Sequence, residues 1–288
     1  MKRILAGTIV LLLIFAAGCA GTESTAPEPS YSVSEEGVLM MTLPAPEYEE
    51  NILAANGTIT LSEIIFTQSG KPVAALLAMP DEPVAGIVFA PGAGVVKEAH
   101  KDRAMQYADK GIAFLALDIR GNGGETAGHP LNLQADYEAF ATGAWPQTYQ
   151  TVGDMTGAAE LLKARADVLV YAMGSSNGAM YATIAAANDP TFAGYIGVSA
   201  TGFNNAWREY PGDAGIFLRS VDADAQISRI APRPVHLLHA PADEIIPYEN
   251  GERLFTNAGE PKTFTAFNGS HGLNDETDKE ILISLLNL

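Results

Sequence analysis

The segment Val168-Leu169-Val170-Tyr171-Ala172-Met173-Gly174-Ser175-Ser176-Asn177-Gly178-Ala179-Met180 decides how this chain is read. Val168–Met173 is a short apolar run that predicts a buried strand, and a helical run to Asn188 follows Gly174 at once. Between them lies G-x-S-x-G. Its glycines relieve the crowding of a sharp turn that forces the central residue into strained backbone angles. Such a turn lifts the Ser176 hydroxyl above the end of the strand and puts the Asn177 N–H at the helix start, where it can hold an oxyanion. Ser176 fits this register; Ser175 would need glycine at Met173 and Asn177. An ordinary glycine-bounded turn has the same five letters, and only the strand before and the helix after give the pattern weight.

Outward from this turn the chain alternates strands with helices. Thr58–Thr67 and Lys71–Met79 read as a hairpin across Ser69-Gly70. Strands are predicted at Ala85–Ala90, Ile112–Leu117, Tyr195–Ser199, Val235–His239 and Thr263–Phe267. Helices are predicted at His100–Lys110, Gln150–Arg165, Glu249–Asn257 and Lys279–Leu286. This alternation implies an α/β fold with a mostly parallel sheet covered on both faces, and a leading antiparallel edge from the hairpin. Reactive groups in such sheets collect at the carboxyl ends of the strands.

A serine alcohol needs a base, and the base needs a carboxylate to fix its tautomer. Of five histidines, His236 alternates with Leu237 and Leu238 and belongs to packing, while His100 and His129 lie on a solvated helix start and in a loop. His271, in Asn268-Gly269-Ser270-His271-Gly272, follows the last strand and precedes the last helix, which favours it as the base. Asp243 follows strand Val235–His239 and is preferred over its neighbour Glu244 as the carboxylate. The chain order Ser176, Asp243, His271 is that of one particular fold.

The N-terminus reads differently. Met1-Lys2-Arg3 is basic, Ile4 to Ala17 is apolar apart from Thr8, and Ala16-Ala17-Gly18 leads to Cys19, the single cysteine. This is the layout of an export signal over residues 1–18, with Cys19 placed as a lipidated residue would be. It resembles a prokaryotic lipobox, with Ala16 where leucine is usual. The expected localisation is therefore the outer side of the cell membrane, held by a lipid anchor at Cys19, with plain secretion as the alternative. Residues 19–57, rich in Ser, Thr, Pro and Glu, read as an acidic tether and irregular lead-in, and 58–288 as the folded domain.

Composition bounds the rest. The chain has 288 residues, 47% hydrophobic and 18% charged, enough for a core. One cysteine leaves no disulfide scaffold and no cysteine-rich zinc site. A formal charge of −17 argues against nucleic acid as a partner and against highly anionic substrates.

With these residues in view, the chain from about Thr58 to Leu288 resembles the α/β-hydrolase superfamily, and within it the dienelactone-hydrolase-like and prolyl-oligopeptidase-like branch. Four features carry the resemblance: the turn around Ser176, D-x-x-I-P at Asp243–Pro247, S-H-G at Ser270–Gly272, and D-I-R-G-N-G at Asp118–Gly123. It implies an eight-stranded, mainly parallel sheet with helices on both faces, and acyl transfer without metal or organic cofactor. There are departures. Many relatives carry His-Gly after the strand that supplies the second oxyanion donor, whereas here Pro91 follows Phe89-Ala90 and has no N–H. The donor is then Ala93 by position, or Gly92. Dienelactone hydrolases proper use a cysteine, so a serine mechanism is implied instead. Asp118 and Arg120 are expected to hold the loop after their strand.

Three functions follow: a serine hydrolase of small carboxylic esters, a peptidase or amidase on the same residues, and a non-catalytic binding lipoprotein. Ala179, where peptidase-like relatives often have glycine, tilts against the second. Two aromatic-rich excursions, Gly121 to Gln150 and Thr201 to Arg219, are equally readable as pocket walls or as loop cores.

Overall fold

Six strands come first, and helices are interspersed with strands from residue 85 onward, in the computed structural model, which describes residues 27–68 and 70–286. The expected signal sequence and Cys19 lie outside the described residues. The strands are β1 (Ser30–Val33), β2 (Leu39–Thr42), β3 (Glu47–Ala55), β4 (Ile59–Gln68), β5 (Lys71–Pro80), β6 (Ala85–Ala90), β7 (Ile112–Leu117), β8 (Val170–Ser175), β9 (Phe192–Val198), β10 (Val235–His239) and β11 (Lys262–Ala266). The helices are α1 (Lys101–Ala108), α2 (Leu133–Ala141), α3 (Gln147–Arg165), α4 (Asn177–Asn188), α5 (Gly212–Val221), α6 (Ala223–Gln226), α7 (Tyr248–Asn257) and α8 (Asp275–Leu286).

One nine-stranded sheet runs β11-β10-β9-β8-β6-β7-β5-β4-β3. It is parallel from β7 to β11 and antiparallel from β3 through β7. The central strands β6, β7 and β8 are buried along their whole length, as parallel strands covered on both faces must be. The chain leaves β6 toward β7 on one side and returns to β8 on the other. The carboxyl ends of β6 and β8 therefore border the point where the winding reverses, the crevice where ligands meet open α/β sheets. Two apolar layers cover the sheet. One packs α3 and α4 against Val88, Leu115 and Ala172; the other packs α1 and α8 against Phe89, Phe114 and Met173.

The sheet has nine strands rather than the expected eight, and the irregular lead-in expected before residue 58 contains one of them, β3, and a separate two-stranded hairpin of β1 and β2. β3 (EYEENILAA) is exposed at every position, so it carries no apolar alternation for a sequence reading to detect. Backbone pairing with β4 holds it, and Arg165 on α3 clasps it by two bonds to Glu50 (2.8 and 3.0 Å). The β1–β2 hairpin is tied down over long sequence distances. Tyr31 donates to the Ala144 carbonyl (2.8 Å), the Leu39 N–H to Asn188 (3.2 Å), and Gln226 to the Gly37 carbonyl (2.9 Å). The folded body thus begins well before Thr58.

Tyr31 also resolves the first aromatic excursion and, of the second, Phe217; Tyr210 stays exposed and Trp207 lies against Arg208 and Arg219. The Tyr31 ring packs 5.0 Å from Trp145 and 5.2 Å from Tyr149, and Phe140, Tyr149, Phe217 and Tyr137 complete the stack. These rings are a loop core, sealed from outside by the N-terminal hairpin. Tyr31→Ala is expected to lower the unfolding free energy by about 2 kcal/mol through lost packing and one lost hydrogen bond. Urea titration reads it, and a change under about 0.5 kcal/mol would mean the hairpin is not docked in solution.

His100 is buried against Phe89, with ring centroids 4.6 Å apart. Arg103 donates to its Nδ1 (2.9 Å), which makes Nε2 the protonated nitrogen, and Nε2 is buried without a hydrogen-bond partner among the described residues. Burial first, and then the Arg103 charge, push its pKa down from 6.5 to about 4. The folded protein keeps this ring neutral while the unfolded chain protonates it, so stability falls as pH drops from 6.5 toward 4. Between pH 7 and about 4.5 the loss from this group is about 2 kcal/mol. Urea melts at both pH values should show that difference between wild type and His100→Gln; equal pH dependence in the two would remove His100 as its source.

Candidate active site

Ser176 sits between the end of β8 and the start of α4 with φ 55° and ψ −123°. A non-glycine residue reaches this region only when its surroundings impose it. The Ser176 N–H donates to the Val198 carbonyl of β9 (2.9 Å), and its carbonyl accepts from Ala179 (3.0 Å), so the turn is bonded on both sides. The flanking glycines are there for space. A Cβ on Gly174 would run into the Gly178 carbonyl, and one on Gly178 into the carbonyls of Ala90 and Pro91. Ser175 is buried within β8, whereas Ser176 is partly exposed. Asn177 opens α4, where its N–H has no partner within the helix.

Asp243 lies in the loop after β10 with a side chain that is fully buried. Its Oδ1 accepts the N–H groups of Ile245 and Ile246 (2.9 Å each). His271 Nδ1 lies 3.0 and 2.9 Å from its two oxygens. Burial by itself would raise this carboxyl, but the bonds from Ile246, His271, Ser199 and Ile245 outweigh it and hold the pKa below the ordinary value of 3.8. The carboxylate is thus charged at neutral pH and accepts Nδ1–H, leaving His271 Nε2 as the basic nitrogen. His271 is 23% exposed, so a substrate or solvent can reach the ring that Asp243 grips from behind.

The loops close on one another at the end of β8. Gly272, next to His271, donates its N–H to the Ser199 hydroxyl (3.0 Å), and its α-carbon faces the Ser175 hydroxyl. Gly92, after β6, faces Ser176: a Cβ built there lies 3.4 Å from the serine Cβ. The structure therefore brings Ser176, Asn177, Asp243, His271 and the Gly92–Ala93 loop to the carboxyl edge of the sheet. Cys19 lies outside the described residues.

Of the other histidines, His236 is buried in β10 and 3.2 Å from the Thr265 hydroxyl, as its alternation predicted. His129 is exposed in its loop. His239, at the end of β10, is nearer the site: its Nε2 is 2.9 Å from the Ile246 carbonyl and 3.5 Å from Asp243. Arg120 makes two bonds to Asp154 of α3 (2.7 and 2.8 Å), and Asp118 accepts the N–H groups of Lys97 and Glu125, so both hold loops as expected.

Ser199 is a residue the sequence reading missed. It is fully buried, has φ 49°, accepts from Gly272 and bonds Asp243. One hydroxyl thus joins the loop carrying the base to the carboxylate. The only trace in the sequence is a polar residue closing a buried strand, V-S-A at Val198–Ala200.

No protein-family model matches the chain. The uncharacterised protein YfhR of Salmonella typhi is 27% identical over 233 residues, covering 76% of this chain and 73% of that protein. Among solved structures, acetyl xylan esterase 1 from Thermoanaerobacterium sp. JW/SL YS485 superposes with a TM-score of 0.68 at 16% identity, covering 84% of this chain and 88% of that one. A cold-adapted esterase from an Arctic intertidal metagenomic library superposes with a TM-score of 0.62 at 18% identity, covering 82% and 97%. The chain has the α/β-hydrolase fold that these esterases share.

Proposed function

We propose that this protein is a serine hydrolase that cleaves small carboxylic esters through an acyl-enzyme. The observation that carries the reading is the buried Asp243 carboxylate bonded to His271 Nδ1, with Gly272 of the same loop facing Ser175, the residue before the strained turn at Ser176. A fold that needed only to bind would have no reason to bury a carboxylate and spend its hydrogen bonds on one imidazole. The esterases of the same fold support the reaction class.

In this mechanism the Ser176 hydroxyl attacks the acyl carbonyl while His271 Nε2 takes its proton. Asp243 holds Nδ1–H and stabilises the imidazolium. The N–H groups of Asn177 and Ala93 receive the oxyanion, an interaction worth about 3–4 kcal/mol per donor in comparable sites. The Ser176 N–H is already given to Val198 and takes no part. Collapse of the tetrahedral intermediate breaks the ester C–O bond, and the leaving alkoxide takes the proton from Nε2. Water then attacks the acyl-enzyme with His271 again as base, returning the serine and releasing the acid.

The location belongs to the same proposal. The basic start, apolar run and Cys19 fit an exported lipoprotein held at the outer face of a membrane by its N-terminus.

Fluorophosphonate labelling tests the chemistry. Wild type and Ser175→Ala are expected to label; Ser176→Ala is expected to lose labelling, and its ester hydrolysis should fall about 10⁴-fold or more. Well-folded wild type that neither labels nor cleaves p-nitrophenyl acetate would leave a binding protein as the better reading.

A further inference from the structure

We propose that Asn122 is a positioning residue that aims the Ala93 N–H at the oxyanion; the inference rests on the serine-hydrolase reading above. The argument starts from the loop after β6. Gly92-Ala93-Gly94-Val95 is a β-turn closed by the Val95 N–H on the Gly92 carbonyl (3.2 Å), and Gly94 at its third position has φ 72°, the signature of type II. In a trans peptide the C=O and the following N–H point in opposite directions. Whatever holds the Gly92 carbonyl therefore sets the direction of the Ala93 N–H.

Asn122 holds it. Its side-chain amide donates to the Gly92 carbonyl (2.9 Å) and to the Val95 carbonyl (3.2 Å), so one NH₂ group grips both ends of the turn. The Gly92 oxygen is drawn toward Asn122 and Val95, and the Ala93 N–H is turned to the opposite side of the peptide. Gly92 itself lies against Ser176. A few residues on, the Lys97 N–H donates to Asp118 (2.9 Å), and its buried ammonium meets Glu125 (2.9 Å). The segment Asp118–Glu125 after β7 thus clamps the whole stretch 92–97, with Asn122 at the end nearest the nucleophile. On this proposal the second donor is Ala93 and not Gly92, because the peptide that Asn122 orients is Gly92–Ala93.

Asn122 touches no reacting atom in this account, so its test must distinguish aiming from mere folding. Asn122→Leu keeps much of the shape and removes the donor NH₂ without adding a charge; Asn122→Ala removes the side chain. Both are compared with wild type for p-nitrophenyl acetate hydrolysis and for inhibition by an alkyl trifluoromethyl ketone, whose hemiketal oxyanion fills the same place. Rates are taken per active site titrated with fluorophosphonate, so any unfolded fraction drops out. The expected result is a fall in kcat/KM of about 10- to 100-fold, carried by kcat, with a matching loss of ketone affinity. The acid limb of the pH–rate profile should stay in place, because His271 and Asp243 are untouched. Variants within about threefold of wild type, or a fall in rate without loss of ketone affinity, would overturn the role of Asn122 while leaving the hydrolase reading intact. Wild type inert to both ester and fluorophosphonate would overturn both together.

Discussion

The backbone of Ser176 is the constraint on which the rest of the structure depends. Held at φ 55° and ψ −123°, it costs of order 1–3 kcal/mol and survives only if the neighbourhood leaves no alternative. The neighbourhood does this in three ways. β9 accepts the Ser176 N–H, α4 begins at the next residue and packs so near that Gly174 has no room for a side chain, and the β6 loop passes so close that Gly178 has none either. The close approach that forbids a side chain at Gly178 is also what brings Gly92 against the serine. One steric fact therefore produces both the exposed hydroxyl and the nearness of a second backbone donor.

The acid is controlled by a different balance. A buried carboxylate pays a desolvation cost that only hydrogen bonds offset. Asp243 has backbone bonds from Ile245 and Ile246, a side-chain bond from His271, and the Ser199 hydroxyl. Its charge is therefore stable in place, and the direction of its remaining bond fixes the His271 ring. Removing any one donor would weaken the charge and loosen the ring at once, because the same oxygens serve both ends.

Much of this was legible in the sequence, for reasons specific to certain residues. The central strands Ala85–Ala90 and Ile112–Leu117 have the expected limits because they are short, apolar throughout and bounded by turn residues, and Val235–His239 nearer the edge has its expected limits too. Ser176, Asp243 and His271 could be singled out because each carries a chemical group in the turn or loop after a strand, at the carboxyl edge of the sheet. β3 was not, since an edge strand exposed on both sides has no periodicity and exists through pairing with β4. The β1–β2 hairpin was hidden by its acidic, Ser-rich surroundings, and Tyr31 in the aromatic stack, with the bonds at Leu39 and Gly37, shows why it docks. Ser199 and Asn122 were invisible because their roles lie in which carbonyl or N–H they meet across more than twenty-five residues of chain, and spacing along a sequence holds no such information.

These two residues expose how the site keeps its precision. Its groups come from the loops after β6, β8, β10 and β11, each set in place by a strand end but free, as a loop, to shift by an ångström. A misplacement of that size is enough to cost a large factor in rate. The sheet register places the loops but does not join them. Cross-loop bonds do: Asn122 ties the β7 loop to the β6 loop, and Ser199, from the end of β9, ties the β11 loop to the Asp243 carboxylate after β10. Each such bond is worth only about 1 kcal/mol of stability, too little to matter for whether the chain folds. Their physical effect is local: they steady the β6 loop on one side of Ser176 and the β10 and β11 loops on the other, where small displacements count and global stability does not.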